Sequence, residues 1–164
     1  MSVENALSAA CARFRALIEG APVTTPHGVT AGRFRPNDLT VPLAQQPAGT
    51  FHQKPYEVVW LEEGIPDETG PEELSGNLVD LSATVAVRVG YRQGVGRDIS
   101  VSEAAYEDAR LLRRVLEEPG NYDGDNTGIV QVNRVRSKIG QPDPDGRVLL
   151  EMTFRLRLRE DQPT

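Results

Sequence analysis

Cysteine, lysine and long apolar runs are all scarce in this sequence. Lys54 and Lys138 are the only lysines, against sixteen arginines. The one cysteine, Cys11, cannot form a disulfide within the chain, so we expect a reducing compartment such as the cytosol. The longest apolar runs span only a few residues, whereas a helix that crosses a bilayer needs about 20. We therefore expect neither a disulfide scaffold nor a membrane partner.

Apolar residues are also few, while glycine and proline are common. The apolar fraction is 38%, below the roughly 45–50% of soluble domains, a figure that includes glycine. At 164 residues we expect a single domain over 1–164. Prolines recur throughout residues 21–55, which predicts an extended proline-rich arm or loop. Within it, "GRFRPNDLTVPL" is predicted to contribute one short edge strand.

Charge is distributed unevenly along a chain whose net charge is -6. Residues 55–80 carry eight acidic residues and no lysine or arginine, and residues 62–76 are predicted to form an acidic loop. Residues 129–159 carry seven basic residues against three acidic ones. An asymmetry of this kind can orient association between copies or with partners. Solvated loops and strand edges are the alternative interpretation.

Two segments have the period of an amphipathic helix. Residues 3–19 form an apolar stripe that includes Cys11, and Gly20 ends the segment. A second helix is predicted to begin at Ser100, with Glu103 in capping-box spacing, and to end before Pro119. Its predicted buried stripe is Ala105, Ala109, Leu112, Val115 and Leu116. Its predicted exposed side is Glu103, Glu107, Asp108, Arg110, Arg113 and Arg114.

Four segments have the composition or alternation of β-strands: residues 56–62, 80–92, 127–139 and 147–161. The last of these, "RVLLEMTFRLRLRED", is the most regular. Its apolar residues are Leu150, Met152, Phe154, Leu156 and Leu158, and they alternate with Glu151, Thr153, Arg155, Arg157 and Arg159. One face of this strand is therefore predicted to be buried and the other to be charged.

The third strand is ambiguous about which face is buried. Val130 and Val132 share their parity with Arg134 and the two cations that follow it at alternate positions. Either the face changes from buried to exposed midway, or Val135 marks a register shift at a β-bulge. The order helix, strand, strand, helix, strand, strand predicts an α+β fold. We expect a four-stranded, mainly antiparallel sheet with both helices on one face.

No local motif in the sequence indicates a catalytic, cofactor or metal site. Residues 123–128, "DGDNTG", imitate the start of a calcium loop, but Arg134 stands where a bidentate Glu is required. His27 and His52 have no partner at metal-ligand spacing. We expect no enzyme activity and no cofactor. A small-molecule-binding domain stays open as an alternative, because sites assembled from distant loops leave no local trace.

The basic residues of the last two strands would share one face if those strands pair. They are Arg134, Arg136, Lys138, Arg155, Arg157 and Arg159. Six cations on adjacent strands repel one another unless anions lie nearby. Nucleic-acid phosphates could supply those anions, and so could the acidic loop of a neighbouring copy. No aromatic residues are interleaved with the cations, so stacking on single strands is not supported, and a nucleic-acid-binding module stays an alternative.

The chain resembles the tail terminator proteins of long-tailed (siphovirus-like) bacteriophages. The resemblance rests on the leading helix "NALSAACARFRALIEG", the long strand "NLVDLSATVAVRVGYR", the helix "SEAAYEDARLLRRVLEE" and the closing pair "GIVQVNRVRSKIG" and "RVLLEMTFRLRLRED". These are similarities of order and length that cover most of the chain. The proline-rich segment, residues 21–55, is longer than the usual arrangement of elements in this family leads us to expect.

The resemblance implies a structural virion protein of the tail or neck, assembled in the host cytoplasm. Such a protein forms a ring with copies of itself, usually a hexamer, at the head-proximal end of the tail tube. It would stop polymerisation of the tail tube protein, join the tail to the head-tail connector or stopper protein, and meet DNA only transiently in the lumen. Another head-tail joining or tail-completion protein of the neck is the nearest alternative.

The charge pattern suggests which residues such a ring would use. A heterologous interface that closes on itself needs two different patches on one subunit. On one side we expect the acidic residues Glu62, Glu63, Asp67, Glu68, Glu72 and Glu73. On the other side we expect Arg134, Arg136, Arg155, Arg157 and Arg159. Residues of both groups are therefore predicted to lie in subunit or partner interfaces.

Overall fold

The fold is built on one mixed sheet in a computed structural model that describes residues 3–21, 34–37, 41–61, 67–68, 78–92, 101–123 and 128–161. The strands are β1 (Arg35–Pro36), β2 (Pro55–Trp60), β3 (Asp67–Glu68), β4 (Leu78–Arg92), β5 (Ile129–Ile139) and β6 (Arg147–Asp161). The helices are α1 (Val3–Glu19) and α2 (Val101–Glu117), and short 3₁₀ turns span Leu43–Gln45, Ala48–Gln53 and Pro119–Tyr122. The chain is therefore α+β, as the sequence predicts.

The sheet has more strands than the sequence predicts. Its strand order is β1-β2-β4-β6-β5. The short strand β3 pairs with the same edge of β4 as β2 does, beyond the end of β2. The four predicted strands are all present and pair antiparallel. The two additional strands have two residues each, too few for a periodic pattern to show. One of them, β1, pairs parallel with β2 inside the predicted edge-strand segment.

The helix side of the sheet carries the main core because side chains alternate along each strand. On β6 the five apolar residues named above are fully buried, and on β4 the buried set is Ala83, Val85, Val87, Val89 and Tyr91. The α1 stripe of Leu7, Ala10, Cys11, Phe14 and Ile18 and the α2 stripe of Val101, Ala105, Ala109, Leu112 and Leu116 pack into the same cluster. The predicted cover by both helices is confirmed.

Cys11 lies inside this core and is 4% exposed. Burial raises the pKa of its thiol, and the positive charge of Arg15 opposes the rise only in part. The thiol is thus a packing group, as its position on the apolar stripe predicts. Among the described helices, α1 and α2 included, none combines the length and apolarity that crossing a bilayer requires.

On the opposite side of the sheet, the described residues cover one end only. Residues 41–54, from the predicted proline-rich arm, place Leu43 and Phe51 there, and both are buried. Phe51 lies so close to Gly90 of β4 that a Cβ at position 90 would stand 2.9 Å from its ring. The glycine therefore makes room for the aromatic side chain. Most of the remaining arm, residues 22–33 and 38–40, lies outside the described residues.

Candidate functional site

The arginines of β6 lie on the sheet side that the helices leave uncovered. Arg155 and Arg157 alternate with the fully buried Leu156 and Leu158, and both are exposed. Arg155 makes no ion pair in the part of the chain that the structure describes. Arg159 is half-buried, and its Cα pairs with that of Asp80. The charged side of the closing strand is thus confirmed, although β6 is an inner strand between β4 and β5.

A β-bulge at Val135 divides the cations of β5 between the two sides of the sheet. Arg134 pairs with Phe154 of the buried row, whereas Arg136 pairs with Thr153 and therefore points to the other side. The prediction that Arg134 shares one basic face with Arg136 is wrong for this reason. Of the two alternatives for this strand, the bulge is confirmed.

A second bulge, at Val130, corrects the predicted burial of that residue. The register jumps between Ile129 and Gln131, so Val130 is left out of the pairing. Its side chain is 47% exposed, while Val132 is buried as predicted. No pattern in the sequence distinguishes this valine from its neighbours, and the bulge could not have been found from the alternation alone.

We call Arg136, Lys138, Arg155 and Arg157 the open basic face. Lys138 pairs across the strands with Glu151, whose Oε2 accepts from Arg88 Nε at 2.7 Å. The Nη1 of Arg88 also lies 3.3 Å from Glu57 Oε1, so the charges alternate in sign across this row. Beyond this row, towards Arg155, the described side chains on this side are cationic or neutral. The face is therefore compensated at Lys138, whereas Arg136 and Arg155 have no ion-pair partner among the described residues.

The acidic segment begins at the opposite edge of the sheet. The structure describes the backbone of Asp67 and Glu68, which pairs with Ser82 and Leu81 of β4. β5 stands at the other edge, three strand spacings or roughly 14 Å away. Glu62, Glu63, Glu72 and Glu73 lie outside the described residues. Asp67 and Glu68 thus stand at one edge of the sheet and Arg134 and Arg136 at the other, while Arg155, Arg157 and Arg159 lie on the inner strand β6.

On the helix side, the edge strand β5 borders a cleft that we call the α2–β5 groove. It measures about 410 Å³ and is lined by Tyr106, Arg110, Arg113, Arg134 and Ile139, among others. Glu117 closes one end, where its Oε1 accepts from the Arg134 backbone N–H at 2.6 Å. That contact and the bulge shield the sheet edge against unspecific strand pairing.

The sequence interpretation missed the two α2 arginines of this groove, which it assigned to a solvated helix side. Arg110 stands three residues before Arg113 and four before Arg114. Like charges at these spacings repel on one helix face, and this cost was the available signal. Arg113 Nε lies 3.3 Å from Glu117 Oε2, and Arg110 has no ion-pair partner in the described residues.

A buried charged cluster joins α2 to the start of β2. Lys54 Nζ lies 2.9 Å from Asp108 Oδ2, and the Tyr91 hydroxyl donates to the same oxygen at 2.7 Å. Lys54 is 8% and Asp108 5% exposed, so the prediction that Asp108 lies on the exposed side of the helix is wrong. Its position three residues after Ala105 and four before Leu112 places it on the buried stripe.

The Lys54–Asp108–Tyr91 cluster has the character of a structural anchor. Burial raises the pKa of the Tyr91 phenol strongly, and the Asp108 charge and hydrogen bond raise it further. The Nζ of Lys54 also lies 5.0 Å from the centre of the Phe34 ring. The cluster thereby ties residues 34 and 54 of the arm to α2. The polar groups of the cluster pair with one another through the ion pair and the hydrogen bond given above.

The sequence matches no protein-family model, and no curated protein sequence is similar to it. Within the described residues, no group of three or more His, Cys, Asp or Glu side chains is arranged to hold a metal ion. The charged surfaces on and beside β5 are therefore the features from which a function can be argued.

Proposed function

We propose that this chain is the subunit of a ring that caps the head-proximal end of a phage tail tube. The observation that carries the proposal is the separation of opposite charges onto opposite edges of one sheet. Acidic β3 stands at the edge formed with β4, and the cations of β5 stand at the other edge. Two different complementary patches on one subunit are what a heterologous, head-to-tail interface requires.

Copies that associate head to tail form a ring when the rotations from each copy to the next add up to a full turn. Each copy then contributes its acidic edge to one neighbour and its basic edge to the other, so no charged edge is left over. An interface of ordinary size buries about 800 Å² on each partner, more than one strand edge provides. We therefore assign to it both sides of β5, meaning the α2–β5 groove and the flank of the open basic face.

The place of the ring on a tail is supported by the element order. The sequence α1, β2, β4, α2, β5, β6 agrees with the plan on which the resemblance to tail terminator proteins rests. In this role the ring, expected to be a hexamer, stops addition of tube subunits and presents its other surface to the head connector. The residues away from the two edges are then available for these partners.

Nucleic-acid binding is the second candidate, and the open basic face favours it. Arg136, Arg155 and Arg157 lie on adjacent strands on the same side of the sheet, and phosphates are anions that such cations bind. Trp60 and Tyr106 are exposed aromatic side chains, but Trp60 belongs to a row on the helix side of the sheet and Tyr106 lies on α2. Neither can therefore stack bases above these arginines, which are on the other side. Ring formation ranks first because it uses both charged edges.

We expect the double variant Arg155→Glu with Arg157→Glu to weaken assembly at least tenfold. Two reversed charges beside β5 would repel the acidic edge of the neighbour, and a tenfold loss corresponds to about 1.4 kcal/mol. Light scattering after size-exclusion chromatography, with negative-stain images, measures the effect. The far-UV circular dichroism spectrum should stay that of the wild type, since both side chains are exposed.

The matched control is Arg155→Lys with Arg157→Lys, which keeps the charges and should keep most of the assembly. Equal ring formation by the Glu and Lys pairs would count against an interface at this face. A wild-type chain that stays monomeric, and remains so when mixed with the tube protein encoded near its gene, would refute the ring itself.

A further inference from the structure

The α2–β5 groove holds more positive charge than the described residues neutralise. Arg110, Arg113 and Arg134 contribute three guanidinium groups. Among the described residues, Glu117 is the carboxylate that pairs with one of them, that of Arg113, and its other oxygen accepts from the Arg134 backbone N–H. Among the described residues, Arg134 Nε is the buried side-chain polar atom without a hydrogen-bond partner. A buried donor left unpaired is costly, so the Arg134 side chain gains a hydrogen bond if it turns towards an acceptor placed in the groove.

The positive track continues past the groove along the same helix. A second hollow of about 350 Å³ adjoins it and is lined by Arg110, Arg113, Arg114, Glu117 and Glu118. Both hollows are open to solvent and share two arginines, so together they suit an extended ligand better than an enclosed small molecule. The repulsion among arginines at helical spacing would be relieved by a chain that carries several carboxylates.

The groove also offers apolar contacts beside its charges. Tyr106 is 58% exposed and stands at one end, and Ile139 of β5 lines the floor. A ligand with acidic side chains around an apolar one would match both features. Carboxylates pair with guanidinium groups through two parallel hydrogen bonds, which makes arginine the suitable cation here.

We infer that the groove binds residues 62–73 of a second copy of this chain, "EEGIPDETGPEE". This segment contains six acidic residues, no lysine or arginine, and the apolar Ile65. Asp67 and Glu68 of this segment pair with β4 at the edge opposite β5, and so stand away from the groove of their own chain. The inference rests on the proposed ring and names the surface at which the copies meet.

A peptide-binding experiment tests the inference without requiring a ring. The probe is a fluorescein-labelled peptide of residues 62–73, titrated with the full-length chain at low salt and followed by fluorescence anisotropy. Arg110→Glu with Arg113→Glu should weaken binding at least tenfold, since both exposed charges face the peptide. Arg35→Glu on β1, an exposed residue at the end of the sheet farthest from β5, should change it less than threefold. A peptide with all six acids replaced by their amides should not bind.

Each result separates the inference from the proposed function. Equal binding by the groove variant and the wild type would overturn the inference, even if rings are seen. A labelled oligonucleotide that binds the groove where the peptide does not would overturn it too, in favour of a nucleic-acid site. Groove-dependent peptide binding by a chain that never forms rings would support the inference and refute the ring.

Discussion

Replacing Asp108 by alanine is expected to destabilise the chain by about 3–5 kcal/mol, the cost of leaving a buried charge without its partner. Lys54 would keep its position beneath Phe34 with no carboxylate at 2.9 Å, and the Tyr91 hydroxyl would lose its acceptor. For a chain of this size the loss corresponds to a fall in melting temperature of roughly 10 °C. Thermal unfolding followed by circular dichroism measures it.

Two further variants show whether the unpaired charge is the cause. Arg110→Ala removes an exposed charge from the same helix and should change stability by no more than about 0.5 kcal/mol. Lys54→Met combined with Asp108→Leu removes both charges and should recover much of the loss, because a buried pair can often be replaced by apolar groups. If Asp108→Ala behaves like Arg110→Ala, the cluster is not the anchor described above.

Replacing Phe14 by alanine is expected to cost about 3–5 kcal/mol through the cavity that it leaves. The ring is fully buried, meets Phe154 edge-on at 5.7 Å between centroids, and lies 6.3 Å from the Tyr122 ring. Urea unfolding should show a lower midpoint with an unchanged slope. Ser8→Ala on the exposed side of α1 is the control, and a Phe14→Ala midpoint equal to that of Ser8→Ala would mean that α1 is not docked as described.

Much of this architecture is predictable because it repeats a local period. The α1 stripe, the long alternations of β4 and β6 and the end of α2 before Pro119 all follow from spacing within one segment. β1 and β3 each have two residues, and they form strands because a neighbouring strand, β2 or β4, offers backbone partners. Leu43 and Phe51 cover the side of the sheet opposite the helices through contacts with residues distant in sequence. Such features are not encoded in any local window.

The candidate site divides in the same way. The exposure of Arg155 and Arg157 follows from strand parity, whereas the separation of Arg136 from Arg134 depends on one bulge that moves every later residue of β5 to the other side. The prediction that Asp108 is exposed followed from its charge, whereas its position in the helix places it on the buried stripe. The groove arginines became visible only when α2 was placed against β5. A prediction from residue type alone therefore assigns too many cations to the open basic face and does not find the α2–β5 groove.

Two surfaces with different roles replace the single ribbon of arginines that the sequence suggests. The α2–β5 groove is a cleft bordered by apolar residues and by the partly buried Arg134, so it suits one defined segment. The open basic face is flat and solvated, so its contribution to association is mainly long-range attraction that salt should screen. Assembly is accordingly expected to be slower at high ionic strength.

A density map of the assembled oligomer tests the central claim most directly. We expect a closed ring in which the β3 edge of each copy lies against the β5 edge of the next, with residues 62–73 in the neighbouring groove. A map in which both edges face solvent, and the copies touch elsewhere, would contradict it.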